Sequence, residues 1–535
     1  MAGGLTLGER LRLAVIEVAR KRRAALATIR RSPVVAWRSG SPRADQMLIL
    51  PPDVRVADPS FISELADGQL GLAGAVADIS GGDVYSVVPP SSAWARELHG
   101  FAWLRHLRLS QEPESRQRAR RLVLDWIAQH PTPRGIAWET AVVARRALSW
   151  MTHAGFLLDE TSTEDYARLT DSLGRQIMHL GASWPDAPPG YPRLLALIAL
   201  VTADLCISGH DRRIGRDVRA LSAELGHQVL PDGGHVTRNP DVLVELLLDL
   251  VPLRQCFIVR QRAVPAAVAA AIRRARGMLA DLRLGNGSIA RFNGMGTTSP
   301  EAVATIFSHD EPAEPGSVDC NGPSGYMRIA GGGSVVIMDA GPPPPLSLAG
   351  SARAGCLSFE WSSGTSLIVV NCGAPGAAHR SWHAASRSTS SHSTLCLGDK
   401  SSSKLVRAPS LERDGSQAPI RFPDRVTRRV LADGGGMAIE ASHNGYVRRF
   451  GLIHTRRIAI SQDGTRLAGS DRLSGERRTV RLKRDAPFAI HFHLHPLIRC
   501  VAGPAPNSAD LSDGQRQHWR MTADGATLSI EDSVF

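Results

Sequence analysis

The feature that most constrains the fold is a change of hydrophobic periodicity partway along the chain. From Ser92 to about Leu284, apolar residues recur at helical spacing, in segments joined by short connectors with Pro or Gly such as HPTPRG and LPDGG. After Asn293-Gly294, short β-type runs separated by turn signals replace them. Consecutive helices with short links form antiparallel hairpins, in a bundle or a ring of helix pairs. We therefore predict an all-α domain followed by an antiparallel β-sandwich.

The pattern also predicts the individual elements and the domain boundaries. The predicted helices are Trp94–Leu107, Ser115–His130, Trp138–Leu158, Thr163–Leu180, Leu194–Ile207, Arg212–Val229, Asp241–Val259 and Pro265–Leu282. The predicted strands lie in SVVIMDAG, CLSFEW, SLIVVNCG, RRIAIS and PFAIHFHLHP. We expect a basic arm and an irregular lead-in over 1–91, with short extended pieces that do not form a packed unit. A helical domain over 92–300 and a β domain over 320–535 should follow. Two or more hydrophobic cores fit a length of 535 residues.

The charge of the chain is basic, and arginine dominates it. The formal net charge is +12, and only four lysines are present. Arginine suits bidentate recognition of carboxylates, sulfates and phosphates, although a GC-rich genome would explain the same bias equally well. A basic surface admits nucleic acid, a membrane or an acidic polysaccharide as partner. Because nothing beyond charge indicates nucleic acid, we do not expect that partner.

Half of the surplus charge lies in residues 1–31, where eight basic residues face two acidic ones, 8 − 2 = +6. No apolar run reaches the roughly 18 residues that a membrane span needs. Glu17 interrupts the only candidate h-region and no A-x-A site follows, so we expect no cleavable signal. Two interpretations stay open: a solvated basic arm, or a basic amphipathic helix in peripheral contact with a membrane.

The seven cysteines are odd in number, scattered and without a CxxC pair. This pattern argues against a disulfide framework and against a zinc knuckle. Reduced thiols fit a cytoplasmic location, which we favour over a periplasmic one. The chain also has neither a phosphate-binding loop nor a G-x-S-x-G elbow.

The second half contains three long strings in order: LSFEWSSGTSLIVVNCGAP, RSWHAASRSTSSHSTLCLGDKSSS and ASHNGYVRRFGLIHTRRIAISQDGTRLAGSDRL. This succession resembles the C-terminal β domain of heparinase II/III-like polysaccharide lyases. In that family an LSFE strand and a liVD strand precede R-S-T-x-x-H-N/S-T, and an H-x-x-R strand leads into a G-x-D turn. In the first half, WETAVVARRALSW and LPDGGHVTRNP look like the family's helical toroid. The resemblance implies an N-terminal α/α toroid followed by a C-terminal antiparallel β-sandwich.

The resemblance also implies β-elimination on an acidic polysaccharide that contains uronic acid. The carboxylate must be neutralised, a base must take the C5 proton, and an acid must protonate the leaving oxygen. The implied catalytic residues are His235, His392 and Tyr446, and the implied substrate-binding residues are Trp138, Arg146, Arg353 and Asn371. No cofactor is expected.

The chain departs from the family pattern at several positions. Ser351 and Arg353 occupy the positions of an H-x-H pair, and Asn371 occupies that of a metal-binding aspartate, so we expect no zinc there. The family's tyrosine near Val242 is missing, and Tyr191 is a candidate stand-in for the expected Asn-His pair. The leading hypothesis is therefore a lyase with an atypical active site, and the alternative is a non-catalytic protein of the same fold that binds acidic glycans.

Each assignment has an alternative in which the residue has a structural role only. His392 could bond across strands, Tyr446 could pack beside the Asn444-Gly445 turn, and His235 could belong to a tight Gly-Gly loop. His491, His493 and His495 alternate along one strand and so share a face. Without nearby carboxylates, a polar sheet face is favoured there over a metal site.

Overall fold

The computed structural model describes residues 5–30, 44, 46–110, 112–297, 299–308, 322–376, 380–406, 418–476, 486–514 and 517–532. The helices of these residues are α1 Leu7–Arg30, α2 Ser60–Ala66, α3 Ser92–Gly100, α4 Leu104–Leu107, α5 Pro113–Gln129, α6 Thr140–Thr152, α7 Ala154–Leu158, α8 Thr163–Ser183, α9 Tyr191–Cys206, α10 Ile214–Gln228, α11 Pro240–Val259, α12 Ala266–Asp281, α13 Pro300–Ser308, α14 Arg380–Ala385 and α15 Val447–Phe450.

The long helices between α3 and α12 form two layers of a toroid. The helices α3, α6, α9 and α11 pack side by side in that order, whereas α5, α8, α10 and α12 pack outside them. The inner helix α9 is buried almost all round because its sequence, LLALIALVTADLC, is apolar on every face. Side-chain caps fix several helix starts: the Ser162 hydroxyl accepts the Asp165 N–H at 3.1 Å, and Asn239 Oδ1 accepts the Asp241 N–H at 3.0 Å.

The described lead-in differs from the unpacked segment that the sequence indicated. Gln69–Leu72 (β1) and Ala75–Asp78 (β2) pair as a hairpin next to α2. Phe61 and Leu65 of α2 and Leu70 of β1 are buried in the core of the toroid. Residues 33–43 and 45 of the predicted lead-in lie outside the described residues. Residues 60–88 contain no proline, and their apolar residues reach the core of the toroid.

The remaining strands belong to the second domain. They are β3 Tyr326–Gly331, β4 Ser334–Asp339, β5 Phe359–Ser363, β6 Ser366–Val370, β7 Leu395–Leu397, β8 Lys404–Val406, β9 Ala418–Arg421, β10 Val426–Asp433, β11 Gly436–His443, β12 Leu452–Ile460, β13 Leu467–Gly475, β14 Phe488–Ile490, β15 His493–Leu494, β16 Arg499–Ala502, β17 Ser508–Ser512 and β18 His518–Thr522. All of the described pairings are antiparallel.

Two open sheets form the sandwich. One has the order β15-β6-β5-β4-β3 and the other β10-β11-β12-β13. Val336 and Ile368 of the first sheet share a buried core with Ile439 and Ile458 of the second. The predicted fold class, a helical toroid followed by an antiparallel β-sandwich, is confirmed.

The basic helix α1 lies against both domains. Glu9 is buried and receives hydrogen bonds from Lys404 Nζ at 2.6 Å and Arg421 Nη1 at 3.0 Å. Leu13 and Ile16 pack in one small cluster with residues of the second domain, while other parts of α1 contact α8. In the part of the chain that the structure describes, no helix has the length and apolar character needed to cross a membrane.

Candidate functional site

The toroid and the β-sandwich meet at a seam held by buried polar side chains. Arg238, which precedes α11, forms an ion pair with Asp339 at the end of β4, and its Nε donates to Ser324 O at 2.8 Å. Asn293 Nδ2 donates to Asp339 Oδ2 at 2.9 Å, and the Tyr326 hydroxyl donates to the Arg238 carbonyl. Because these bonds connect the two domains, buried side chains of the protein hold the seam closed.

Little space remains beside this ion pair. The cavity lined by Arg238, Asn293, Asp339, Arg353 and Cys356 has a volume of about 20 Å³. One water molecule needs roughly 10–15 Å³ by this kind of measure, so the cavity has room for one or two water molecules. A sugar ring does not fit unless the seam opens.

His392 and Arg353, both predicted for the site, lie close to this cavity but are buried. His392 Nδ1 bonds to Ser388 O at 2.7 Å, and its ring packs against Gly355 so closely that a Cβ there would lie 2.5 Å from Cδ2. Arg353 Nη1 donates to both Ser386 O and Ser386 Oγ. Burial, with the nearby Arg353 charge, lowers the pKa of His392 to about 3. Arg353 and His392 therefore come together, but inside the β domain.

Both polar atoms of the Asn371 side-chain amide have hydrogen-bond partners. Its Nδ2 donates to Glu360 Oε1 at 3.2 Å, and its Oδ1 accepts the Ser393 N–H at 3.0 Å. Burial raises the pKa of Glu360 to about 7. The Glu360 carboxyl also accepts backbone N–H groups of Asn371 and Arg291. The four residues thus form a buried network within the β domain and across to the toroid.

Tyr446 belongs to a separate buried cluster. Its hydroxyl donates to Leu395 O at 2.8 Å, and its ring contacts His443 and Phe450. Burial raises the pKa of the Tyr446 hydroxyl above its ordinary value. The structure therefore places this hydroxyl in a hydrogen bond to the backbone of β7.

His235 lies in the loop between α10 and α11, and both of its ring nitrogens have partners. Nδ1 lies 2.7 Å from Thr237 Oγ1, and Nε2 lies 2.9 Å from Gln228 Oε1. Burial lowers the pKa of His235 to about 3. The adjacent Gly233 has φ +88°, and a Cβ there would lie 2.0 Å from Arg274 O, so only glycine makes this turn.

Arg146 and Trp138 lie inside the toroid. Arg146 donates to Gln176 Oε1 at 2.9 Å and to the carbonyls of His99 and Ala137 at 2.8 Å. Its guanidinium carbon lies 3.9 Å from the centre of a Trp126 ring and 5.6 Å from the centre of a Trp138 ring. Burial lowers the pKa of Arg146. Arg146 and Trp138 are therefore buried inside the toroid and do not line an open cleft.

His454 fastens its strand to the neighbouring strands. Its Nε2 lies 2.6 Å from Asp471 Oδ1 on β13, and its Nδ1 lies 3.2 Å from His443 Nε2 on β11. Arg456 completes the network with two bonds to Asp471. Among the described residues, no three His, Cys, Asp or Glu side chains are grouped closely enough to hold a metal ion. The expectation of no zinc stays a prediction.

One polar network lies among the inner helices of the toroid, and the sequence had pointed to only one of its members, Tyr191, as a stand-in for the family's Asn-His pair. Arg145 donates to Asp249 at 2.6 and 3.0 Å and to the Tyr191 hydroxyl at 2.7 Å, and Tyr191 in turn donates to Asp249. Arg55 of the lead-in bonds to Asp249 and Glu245. Burial alone would raise the pKa of Asp249, but Arg145 and Arg55 outweigh it and hold the pKa at about 2. A single acid in the apolar run LLLDLVPL was the available signal.

An α/α toroid packed on an antiparallel β-sandwich defines the polysaccharide-lyase class of fold. A crystal structure of heparinase III matches with a TM-score of 0.65 at 14% identity, over 97% of this chain and 84% of that chain. A mutant of the heparan sulfate lyase HepC from Pedobacter heparinus matches with a TM-score of 0.56 at 14% identity, over 93% and 78%. At such identity these matches establish the fold alone.

Sequence comparison identifies the family. Residues 322–535 match the family described as Heparinase II/III-like, C-terminal. Over 499 residues the chain is 30% identical to FtsZ-localized protein C of Caulobacter vibrioides (strain NA1000 / CB15N), covering 92% of this chain and 85% of that protein. The chain therefore belongs to the heparinase II/III-like family, as the resemblance of its β-domain strings implied.

Proposed function

We propose that this chain is a non-catalytic member of the family that works by binding, and that acidic polysaccharide is the ligand class its fold supports. The observation that supports the proposal is the burial of the three candidate proton-transfer residues. His235, His392 and Tyr446 are 1%, 2% and 1% exposed, and each has an internal hydrogen bond. A general acid or base must come within about 3 Å of the substrate proton that it transfers.

The protonation behaviour of these groups supports the same proposal. Efficient acid–base groups have a pKa near the working pH. Burial lowers the pKa of His235 and His392 to about 3, and it raises that of Tyr446. The two imidazoles are therefore weak bases, and the hydroxyl does not ionise near neutral pH.

The competing hypothesis is β-elimination by an atypical active site. The full chain would be mixed with sulfated glycosaminoglycan, alginate and a bacterial surface polysaccharide, while the absorbance of unsaturated uronate is followed. We expect binding by calorimetry without growth of that absorbance. Any turnover by the wild-type chain would overturn the proposal, and its loss in folded Tyr446→Phe would show that this hydroxyl takes part.

A contact with a membrane surface is a second proposal, and the outer face of α1 favours it. Leu7, Leu11, Val15 and Val18 recur at spacings of four, four and three residues and are 85%, 66%, 61% and 65% exposed. This spacing puts them on one helical face, with exposed basic residues such as Arg12, Lys21 and Arg22 on the same helix. An apolar stripe flanked by basic residues is typical of helices that lie in an anionic membrane surface.

The name of the Caulobacter relative suggests a cellular location for this membrane contact. The name of the Caulobacter protein places that protein at FtsZ. We infer the same localisation for this chain, with α1 against the membrane and the two domains facing FtsZ. A fluorescent fusion in cells with labelled FtsZ should show coincident bands, and a uniform distribution in dividing cells would contradict this localisation.

Vesicle sedimentation tests the membrane contact directly. The full chain should sediment with phosphatidylglycerol vesicles more than with phosphatidylcholine vesicles. Leu11→Glu combined with Val15→Glu should remove the binding. The matched control is Val88→Glu, which adds a charge at an apolar residue that is 87% exposed on the toroid side, and it should bind like the wild type. Equal binding of all three chains would contradict a role for α1.

A further inference from the structure

A second cavity lies at the end of the toroid that faces away from the β domain. Its volume is about 50 Å³, and its lining includes Asp53, Arg105, His153 and Pro252. The helix α11 begins at Pro240 beside the seam, and Pro252 is 12 residues further on. At 1.5 Å per residue, these positions are about 18 Å apart. The cavity is therefore distinct from the seam between the domains.

Two buried nitrogens at this cavity have no hydrogen-bond partner among the described residues. They are Nε of Arg105 and Nδ1 of His153. The carboxylate of Asp53 stands 4.0 Å from Arg105 Nε and 3.5 Å from His153 Nε2. Its other oxygen accepts the N–H of Arg55 at 3.1 Å, which holds the carboxylate beyond hydrogen-bond reach of Arg105.

The neighbouring cations form closer ion pairs than Arg105, whose Nε lies 4.0 Å from the Asp53 carboxylate. Arg55 and Arg145 bond to Asp249, and Arg55 bonds to Glu245 as well. Burial, together with the Arg55 and Arg145 charges, lowers the pKa of Arg105 to about 10. An anion beside Arg105 would give its Nε the hydrogen-bond acceptor that the Asp53 carboxylate, at 4.0 Å, does not provide.

We propose that this cavity binds a small oxyanion, a phosphate or sulfate group, between the Arg105 guanidinium and the His153 ring. The volume equals that of about three to five water molecules at roughly 10–15 Å³ each, which suits a group of a few heavy atoms. Guanidinium N–H groups match the oxygens of such anions in geometry. Nδ1 of His153 is a second buried polar atom at the same cavity.

Calorimetry on the full chain tests this site with inorganic phosphate and with glycerol phosphate. We expect the wild type to bind inorganic phosphate, and Arg105→Gln to weaken the binding at least about tenfold, since a charge-assisted bond is lost. The matched control is Arg121→Gln, an exposed arginine on α5, which should bind like the wild type. Binding of glycerol phosphate as well would indicate the head group of a larger ligand, and binding of the inorganic ion alone would indicate a free ion.

Two results would overturn the site. One is a wild-type chain that binds neither compound at millimolar concentrations, which would leave a cavity filled by water only. The other is an equal loss in Arg105→Gln and Arg121→Gln, which would mean diffuse attraction to a basic protein. If Arg105→Gln does not fold, His153→Asn replaces it, with the same expected loss and the same control.

Discussion

The buried ion pair at the domain seam gives the sharpest test of how this molecule is held together. Asp339 accepts hydrogen bonds from Arg238, from Asn293 Nδ2 at 2.9 Å and from the Gly341 N–H at 3.3 Å. Asp339→Ala removes all three and leaves the Arg238 charge buried without its partner. Removing one member of a buried ion pair costs about 3–5 kcal/mol. Since a domain is stable by only about 5–15 kcal/mol, we expect a large loss.

Equilibrium unfolding in urea, followed by circular dichroism on the full chain, measures the free energy of unfolding. The matched control is Arg429→Ala, which breaks the exposed pair with Glu440 and should cost at most about 1 kcal/mol. The double variant Arg238→Met with Asp339→Leu should lose less than Asp339→Ala, because it leaves no unpaired buried charge. If Asp339→Ala and Arg429→Ala lose the same amount, the seam is not closed by this pair and the reasoning fails.

Three further predictions follow from the buried residues. The folded pKa of His235 and of His392 is lowered to about 3, so below an unfolded pKa of about 6.5 only the unfolded state takes up these protons. The free energy of unfolding should therefore fall by about 1.4 kcal/mol per pH unit for each ring between about pH 6.5 and 3. Urea unfolding at pH 7.5 and 5.5 measures this fall, which should be smaller in His392→Gln than in the wild type. An unchanged dependence would mean that the ring titrates in the folded state. Tyr446→Phe should lose about 1–3 kcal/mol in the same assay, because it leaves the buried Leu395 carbonyl without a donor; an unchanged value would show that water replaces the hydroxyl. Arg146→Met should lose at least about 2 kcal/mol, since the carbonyls of His99 and Ala137 lose their donor; wild-type stability would contradict the enclosed position.

The sequence predicted the toroid well because helical periodicity is a local property. The predicted segment Thr163–Leu180 and the observed α8 differ only by an extension to Ser183. Two predicted helices are divided: Trp94–Leu107 breaks where Phe101 adopts φ +55°, and Trp138–Leu158 divides at His153 into α6 and α7. The Phe101 ring is buried among Trp103, Trp126 and Trp150. Its contacts with Trp126 and Trp150, which are distant along the chain, leave no mark on the local pattern.

The candidate site was harder to predict because a motif identifies residues but not the direction of their side chains. His392 and Arg353 do lie together, as the motif order indicated. Their inward direction depends on Gly355, which leaves room for the ring, and on the Ser386 and Ser388 groups that bond to them. Small residues of this kind are common in loops, so nothing in the string RSTSSHST signals an enclosed histidine.

Hydrogen-bonding capacity separates a group that holds a fold from a group that can hold a ligand. Each imidazole nitrogen, amide atom or hydroxyl has a fixed number of donors and acceptors. Both ring nitrogens of His235 have hydrogen-bond partners within the chain, and so do the amide oxygen and nitrogen of Asn371. Ligand binding at these residues would first have to break bonds that stabilise the domains. At the far end of the toroid, Arg105 and His153 have buried nitrogens without such bonds, so a ligand there would add contacts and remove none. The proposed oxyanion site therefore lies at the end of the toroid remote from the β-sandwich, whereas the buried polar groups of the seam contribute stability.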